Sequence, residues 1–146
     1  MSFHKQTIKD IELSNKTVLL RVDYNVPMDA QKIREPYRIE QSIPTIEYLL
    51  GKKTKIVICS HLGRPTADDK KNLSLKPVAE FLSKKLKREV IFIDDCVGDD
   101  RDEIIENLRP GQIVLLENLR FYKEEEENES SFAKALASKC EVFVQD

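Results

Sequence analysis

The chain has 146 residues, a length that suits one domain. Apolar residues make up 40% of it and charged residues 34%, which is typical of a globular protein and excludes a mainly disordered chain. The formal net charge of −2 provides no overall positive field for nucleic acid, so any anion-binding function must depend on local charge.

Three features of the sequence bear on the protein's compartment. No apolar run reaches the roughly 18–20 residues needed to cross a bilayer, and the first residues lack the apolar core of a signal peptide. The cysteines Cys59, Cys96 and Cys140 are far apart and form no CxxC pair, so neither a disulfide framework nor a zinc site is expected. These features predict reduced thiols, no membrane attachment and a cytoplasmic location.

Five short runs rich in Val, Ile, Leu or Phe are predicted to be strands. In chain order they are Thr17–Asp23, Lys55–Ser60, Glu89–Ile93, Gln112–Glu117 and Glu141–Gln145. None of them alternates cleanly between apolar and polar residues. Near-continuous apolar strands are expected where helices cover both faces of a parallel sheet.

Helical periodicities lie between these strands. The predicted helices are Arg38–Leu50, Leu75–Leu86, Asp99–Leu108 and Glu129–Lys139. Pro44 is expected either to kink the first helix or to make Ser42 the N-cap of a second one, and Ser74 is expected to cap the helix that follows it. The acidic run at 124–127 is expected to be a solvated surface segment. The alternation of strands and helices predicts an α/β protein, with a Rossmann-like three-layer α/β/α arrangement around a parallel sheet.

Candidate binding residues follow three of the predicted strands and open one helix. Because the carboxyl ends of parallel strands meet at one edge of a sheet, we expect these loops to form a single site. Guanidinium groups and a helix N-terminus favour phosphate or carboxylate, and an Asp with an Asn suits a hydroxyl group. The pattern predicts a small anionic ligand with a hydroxyl. The residues concerned are Asp23, Asn25, Arg38, His61, Gly63, Arg64 and Arg120.

Each of these residues also has a purely structural interpretation. Asp23 is placed to cap the turn that follows it, and His61 is able to act as a hydrogen-bonded structural residue. Arg64 and Arg120 are equally compatible with exposed surface positions. Arg38 has potential ion-pair partners in its neighbours Glu35 and Glu40. The convergence on one sheet edge favours the functional interpretation.

Three segments of the sequence resemble signatures of the phosphoglycerate kinase family, in the family's order. They are Val18–Pro27 (VLLRVDYNVP), Ser60–Pro65 (SHLGRP) and Leu115–Phe121 (LLENLRF). Arg38-Ile39 with Ile43–Ile46 resembles the segment between the first two, and Val144–Asp146 resembles the start of a further signature. The resemblance covers nearly the whole chain.

The resemblance implies a glycolytic phosphotransferase that moves a phosphoryl group reversibly between 1,3-bisphosphoglycerate and ADP, giving 3-phosphoglycerate and ATP. It implies that Asp23 and Asn25 contact the glycerate hydroxyl and carboxyl end. His61, Arg64 and Arg120, with Gly63 in the same loop, would hold the phosphate that is not transferred. Arg38 would be the catalytic residue, offsetting charge on the transferring group. The stretch Arg34–Tyr37 departs from the family pattern, and Pro36 is expected to stiffen the approach to Arg38.

Family members are longer and have two domains, so the resemblance predicts that residues 1–146 are an N-terminal 3-phosphoglycerate-binding domain, incomplete at its C-terminal edge. The Mg-ATP or Mg-ADP of the full-length enzyme would be bound by the absent C-terminal domain. No cofactor and no metal site are expected in this fragment, which is predicted to be inactive alone. The full-length enzyme would be a monomer without nucleic-acid or membrane partners.

Two alternatives have different consequences. One is a non-catalytic binding module for a small phosphorylated acid. Activity recovered by adding the missing half in trans would indicate a split enzyme instead. The other is a structural or nucleic-acid-binding α/β protein, which the negative charge and the lack of a basic helix disfavour.

Overall fold

A five-stranded sheet, all of whose neighbouring strands are parallel, forms the centre of the computed structural model. The structure describes residues 6–66, 72–123, 127 and 129–146, so the expectations for residues 1–5 and 124–126 fall outside it. The sheet has the order β5-β6-β4-β1-β7. Its strands are β1 (Thr17–Arg21), β4 (Lys55–Cys59), β5 (Val90–Ile93), β6 (Ile113–Leu116) and β7 (Val142–Gln145). All five predicted strands are confirmed.

Four helices and a short 3-10 turn connect the strands in the described part of the chain. They are α1 (Tyr37–Gly51), α2 (Lys76–Leu86), α3 (Asp99–Glu106), the 3-10 turn Leu119–Phe121 and α4 (Ser130–Ala137). No helix within the described ranges is both long enough and apolar enough to cross a membrane.

Successive residues of each central strand point into two separate cores, which makes the arrangement three-layered. Leu20 and Ile58 pack with α1 and α2 on one face. Leu19 and Val57 pack with α3 and α4 on the other. Covering both faces explains why the strands are apolar throughout, and the predicted α/β/α class is confirmed.

Helix α1 continues through Pro44, so of the two expected alternatives the one in which Ser42 is the N-cap of a second helix is wrong. The Ser42 hydroxyl instead donates to the Ile39 carbonyl at 2.7 Å and shares a 2.6 Å hydrogen bond with the Tyr24 hydroxyl. Ile39 and Ile46 are fully buried on either side of the proline, so packing on the sheet holds both halves in one helix. Ser74 lies one residue before the N-cap of α2, where its hydroxyl accepts from Lys76 N–H at 3.2 Å.

A small antiparallel hairpin follows β1 and was not predicted. Strands β2 (Met28–Asp29) and β3 (Lys32–Ile33) pair across Ala30 and Gln31. Both turn residues have positive φ, +47° and +71°, as in the tight turns that favour right-handed strand twist. The usual signal for such a turn is Asn-Gly or Asp-Gly. The chain has neither pair at this turn, so sequence analysis did not identify the hairpin.

Arg101 connects the two helices on the second face. Its side chain is completely buried, although arginine is rarely so. It starts from α3 and donates to the carbonyls at the end of α4, to Ala135 at 3.2 Å, to Ser138 at 2.9 Å and to Leu136. It also pairs with Asp102 at 2.6 Å. The guanidinium therefore bonds three carbonyls at the C-terminus of α4, of which Ala135 also accepts from Ser138 N–H.

Candidate anion-binding site

The loops that carry the candidate residues leave three strands that are adjacent in the sheet. β6, β4 and β1 are consecutive and parallel, so their carboxyl ends lie side by side at one edge. This is the edge at which α/β proteins of this type bind ligands.

On the β1 side of this edge, Arg38 is held by Asp23. One nitrogen of Arg38, Nη1, donates to both carboxylate oxygens of Asp23, at 3.1 and 3.0 Å, and to the Asn25 carbonyl at 3.2 Å. Asp23 Oδ1 also accepts from Asn25 N–H at 3.0 Å. The two side chains of the ion pair are 52% and 56% exposed. Asp23 therefore caps the turn, as its structural interpretation requires, and it also orients Arg38.

The β1 loop is joined directly to the β4 loop. Asn25 Oδ1 accepts from Gly63 N–H at 2.8 Å. Gly63 has φ of +61°, and a Cβ added there would lie 3.0 Å from Leu73 Cδ2. A residue with a side chain would be strained in this backbone conformation and would need Leu73 to shift by a few tenths of an ångström, so the loop favours glycine.

The β4 loop is joined to the β6 loop by Asn118, whose side chain is fully buried. Its Oδ1 accepts from Leu62 N–H and Arg120 N–H, both at 3.0 Å. Its Nδ2 donates to the Leu62 carbonyl at 2.8 Å and to the Leu73 carbonyl at 2.9 Å. One carboxamide thus bonds both loops at once.

Glu117 is a buried carboxylate beside Asn118. Its oxygens accept from the Ser74 hydroxyl at 2.7 Å, from Leu75 N–H at 2.9 Å and from Asn118 N–H at 2.8 Å. Burial raises the pKa of Glu117, and the three accepted hydrogen bonds oppose that shift. The carboxylate fixes the start of α2 against the β6 loop.

Ser60, at the end of β4, bonds to the loop after β1. Its hydroxyl accepts from Tyr24 N–H at 2.9 Å and donates to the His61 carbonyl at 3.1 Å. The Tyr24 hydroxyl reaches Ser42 in α1, and burial raises the pKa of Tyr24. The same contacts therefore set the position of the first turns of α1, where Arg38 lies.

The predicted residues are brought together to different degrees. Asp23, Asn25, Arg38 and Gly63 are linked by direct hydrogen bonds. The other three lie on the two loops that Asn118 joins, where Arg64 is exposed and His61 and Arg120 are half-buried.

Sequence analysis missed the residues that hold these loops, chiefly Ser60, Glu117 and Asn118. A signal was present for two of them. Glu117 and Asn118 are polar residues directly after the fully apolar run of β6, and they remain buried there. Buried polar groups must find partners, so such a pair indicates a loop-organising role.

The larger cleft of the molecule does not coincide with the arginines. A cleft of about 300 Å³ borders Asp23, Arg38 and Asp146. Another of about 860 Å³ borders the residues that follow β5 and β6, and its charged lining is mainly acidic, with one cation: Lys76, Glu80, Asp94, Asp95 and Glu117. Carboxylates repel anions, so the arginine-bearing loops suit an anionic ligand better than this mainly acidic cleft does. Among the described residues, no cluster of His, Cys, Asp or Glu is arranged to hold a metal ion.

Comparison with known proteins gives a consistent result. The phosphoglycerate kinase family model matches residues 8–146. The chain is 51% identical over 142 residues to the phosphoglycerate kinase of Desulforapulum autotrophicum, covering 97% of this chain and 36% of the relative. It is 47% identical to that of Clostridium botulinum, covering 100% and 37%.

A solved structure agrees with these relatives. The crystal structure of phosphoglycerate kinase from Pyrococcus horikoshii superposes with a TM-score of 0.86 at 36% identity, over 95% of this chain and 36% of that one. The chain thus spans little more than a third of the length of the relatives it matches. Over that span, the sequence match and the shared fold together show that the chain belongs to the phosphoglycerate kinase family.

Proposed function

We propose that residues 1–146 are the N-terminal, phosphoglycerate-binding domain of a phosphoglycerate kinase. In the whole enzyme the domain would hold 3-phosphoglycerate or 1,3-bisphosphoglycerate while a phosphoryl group passes reversibly between the acyl phosphate and ADP. The supporting observation is the joining of the three edge loops by Asn25 and Asn118, which gathers basic side chains in a chain of this family.

The contacts suggest distinct roles for the residues near β1. Asn25 Oδ1 is occupied by Gly63 N–H, so we assign its Nδ2 amide to the ligand's carboxyl end. Asp23 is assigned to the glycerate hydroxyl. Arg38 bonds Asp23 and Asn25 through Nη1 alone, which leaves the rest of its guanidinium fork for the transferring phosphoryl group.

The remaining basic residues are assigned to the phosphate that stays on the glycerate. His61 and Arg64 come from one loop and Arg120 from the next. Phosphoryl transfer depends mainly on positioning and charge stabilisation, so the proposal requires no nucleophilic side chain.

In this proposal the nucleotide does not bind to residues 1–146. The four glycines of the chain are far apart and form no phosphate-binding loop. The described acidic side chains form no metal site. We therefore assign Mg-ATP and Mg-ADP to the part of the longer relatives that this chain does not span, and we expect no transfer activity from residues 1–146 alone.

The test is a titration of the folded chain with 3-phosphoglycerate, monitored by NMR, with circular dichroism as the check of folding. We expect saturable shifts in the loops around Arg64 and Arg120. Arg64→Ala should weaken binding about 10- to 100-fold, because it removes charged hydrogen bonds to phosphate. Arg109→Ala is the matched control, since it removes an exposed arginine just before β6, at the opposite end of the strand.

A folded chain that shows no saturable shifts, or an Arg109→Ala variant as weak as Arg64→Ala, would overturn the proposal. A second measurement separates the enzyme from a binding module. Phosphoryl transfer recovered by adding the rest of a family member in trans supports the enzyme, whereas binding without recovery supports a module that captures a phosphorylated acid.

A further inference from the structure

We infer that Asn118 is a positioning residue for the anion site, fixing the loop of Arg64 relative to the loop of Arg120. The inference rests on the proposed function, because it concerns the same site. Asn118 is not itself expected to touch the ligand, since its side chain is fully buried.

The hydrogen-bonding capacity of the Asn118 carboxamide is fully used. Oδ1 accepts two hydrogen bonds, from Leu62 and Arg120 N–H, and Nδ2 donates two, to the Leu62 and Leu73 carbonyls. Each bond measures between 2.8 and 3.0 Å. All of the partners are backbone groups, so the amide fixes the path of the chain.

Asn118 continues the contact between β4 and β6 beyond the end of the strands. Their paired register runs to Ile58 opposite Leu115, and one further backbone bond joins Leu119 N–H to the Ser60 carbonyl at 3.0 Å. At Leu62 the side chain of Asn118 bonds both N–H and C=O, as a neighbouring strand would. The two loops are therefore held in register where the sheet no longer holds them.

The bonded groups are close in sequence to the basic residues. Leu62 lies one residue after His61 and two residues before Arg64, and its side chain is anchored in the core at 1% exposure. On the other loop, the bonded group is the N–H of Arg120 itself. Loss of the amide would let the two loops move apart while the arginines remain present, which would weaken an anion bound by both.

Other side chains do not reproduce this arrangement. Aspartate would place a buried negative charge against the Leu62 and Leu73 carbonyls with nothing to donate. Alanine would leave buried N–H and C=O groups without partners. Serine keeps a hydroxyl that is able to make part of the set, so it is the milder variant.

The test is a double-mutant cycle on 3-phosphoglycerate affinity, comparing wild type, Asn118→Ala, Arg64→Ala and the double variant. We expect Asn118→Ala to weaken binding about tenfold, and Arg64→Ala to cost less in the Asn118→Ala background than in wild type, because the two act through one contact. Thr54→Val is the control for general destabilisation. It removes a buried hydrogen bond, to the Leu49 carbonyl, at the opposite end of β4, and should leave affinity unchanged.

If Asn118→Ala does not fold by circular dichroism, the same cycle is run with Asn118→Ser. Equal affinity of a folded Asn118 variant and wild type, losses that simply multiply in the double variant, or an equal loss in Thr54→Val would each overturn the inference while the proposed function stands. A wild-type chain that does not bind overturns the proposed function, and this inference falls with it.

Discussion

The two sides of the candidate site are stabilised in different ways. On the β1 side, the Asp23–Arg38 ion pair is about half exposed to solvent. On the β4–β6 side, the loops are held by the buried side chains of Asn118, Glu117 and Ser60. Exposed ion pairs contribute roughly 0–1 kcal/mol, whereas buried hydrogen-bonded groups are costly to disturb.

This difference suits different tasks at one edge. A buried network fixes loop geometry before any ligand arrives. In the proposed function, an exposed arginine that bonds its carboxylate through Nη1 offers the rest of its guanidinium fork to a phosphoryl group. We expect substitutions on the β4–β6 side to change stability most and those at the Asp23–Arg38 pair to change it least.

The largest effect is expected at Gly63, where the two sides meet. Gly63→Ala should lower the free energy of unfolding by about 1–2 kcal/mol, because φ is +61° and the new Cβ would lie 3.0 Å from Leu73 Cδ2. Urea denaturation measures the change. Gly51→Ala is the matched control, since its Cβ meets nothing within 4 Å at the end of α1. Equal effects at both glycines would contradict the strain assigned to the loop.

Tyr24 links the two sides from within the core, since its N–H donates to Ser60 at the end of β4 and its hydroxyl bonds Ser42 in α1. Tyr24→Phe should cost about 1 kcal/mol, since it removes the 2.6 Å hydrogen bond to Ser42 without changing shape. Thermal or urea unfolding is the measurement. Tyr37→Phe, at a position 67% exposed, is the control and should change little. A Tyr24→Phe variant as stable as wild type would show that the buried bond makes no net contribution.

Glu117 should make stability depend on pH. Burial raises the pKa of Glu117 in the folded chain above its unfolded value, so the folded state binds a proton more readily. The contribution of this group to stability is therefore present in acid and lost as pH rises through the folded pKa. Glu117→Gln should gain on wild type as pH rises from the ordinary glutamate pKa of about 4.3 through the raised folded pKa, measured by urea unfolding.

The exposed carboxylate Glu103 provides the control for that comparison. Glu103→Gln should follow wild type across the same range. A Glu117→Gln variant that loses stability relative to wild type as pH rises would contradict the sign of the effect.

The smallest change in stability is expected at Asp23. Asp23→Asn should alter the free energy of unfolding by less than about 0.5 kcal/mol, because the ion pair is exposed and an amide oxygen is still able to accept from Arg38. Its affinity for 3-phosphoglycerate should nevertheless fall, as measured in the same NMR titration. A loss of stability as large as that of Tyr24→Phe would remove the distinction between the two sides.

The strands of the sheet were predictable because each one is marked by residues that are adjacent in the sequence. Each strand is a short apolar run, and the polar residues after β1, β4 and β6 mark the loops directly. Parallel strands then place those loops at one edge without further information. Pro36 is the N-cap of α1, and its carbonyl accepts from Glu40 N–H at 2.9 Å, while the stiffening expected of it stays a prediction.

The hydrogen bonds that join the loops of the site were not predictable, because the bonded residues are distant in sequence. Asn118 bonds Leu62 across 56 positions, and Asn25 bonds Gly63 across 38. Arg38 was expected to have Glu35 or Glu40 as alternative partners, yet its carboxylate partner is Asp23, 15 positions away. No local pattern distinguishes such pairings, since any nearby acid is chemically suitable.

Arg101 has a consequence for how the molecule opens. Helices α3 and α4 each have only eight residues, too few to be stable by themselves. The buried guanidinium of one bonds the end of the other, so opening either helix would break the hydrogen bonds between Arg101 and the carbonyls of Ala135, Leu136 and Ser138. The two helices should therefore open together, as a single cooperative unit.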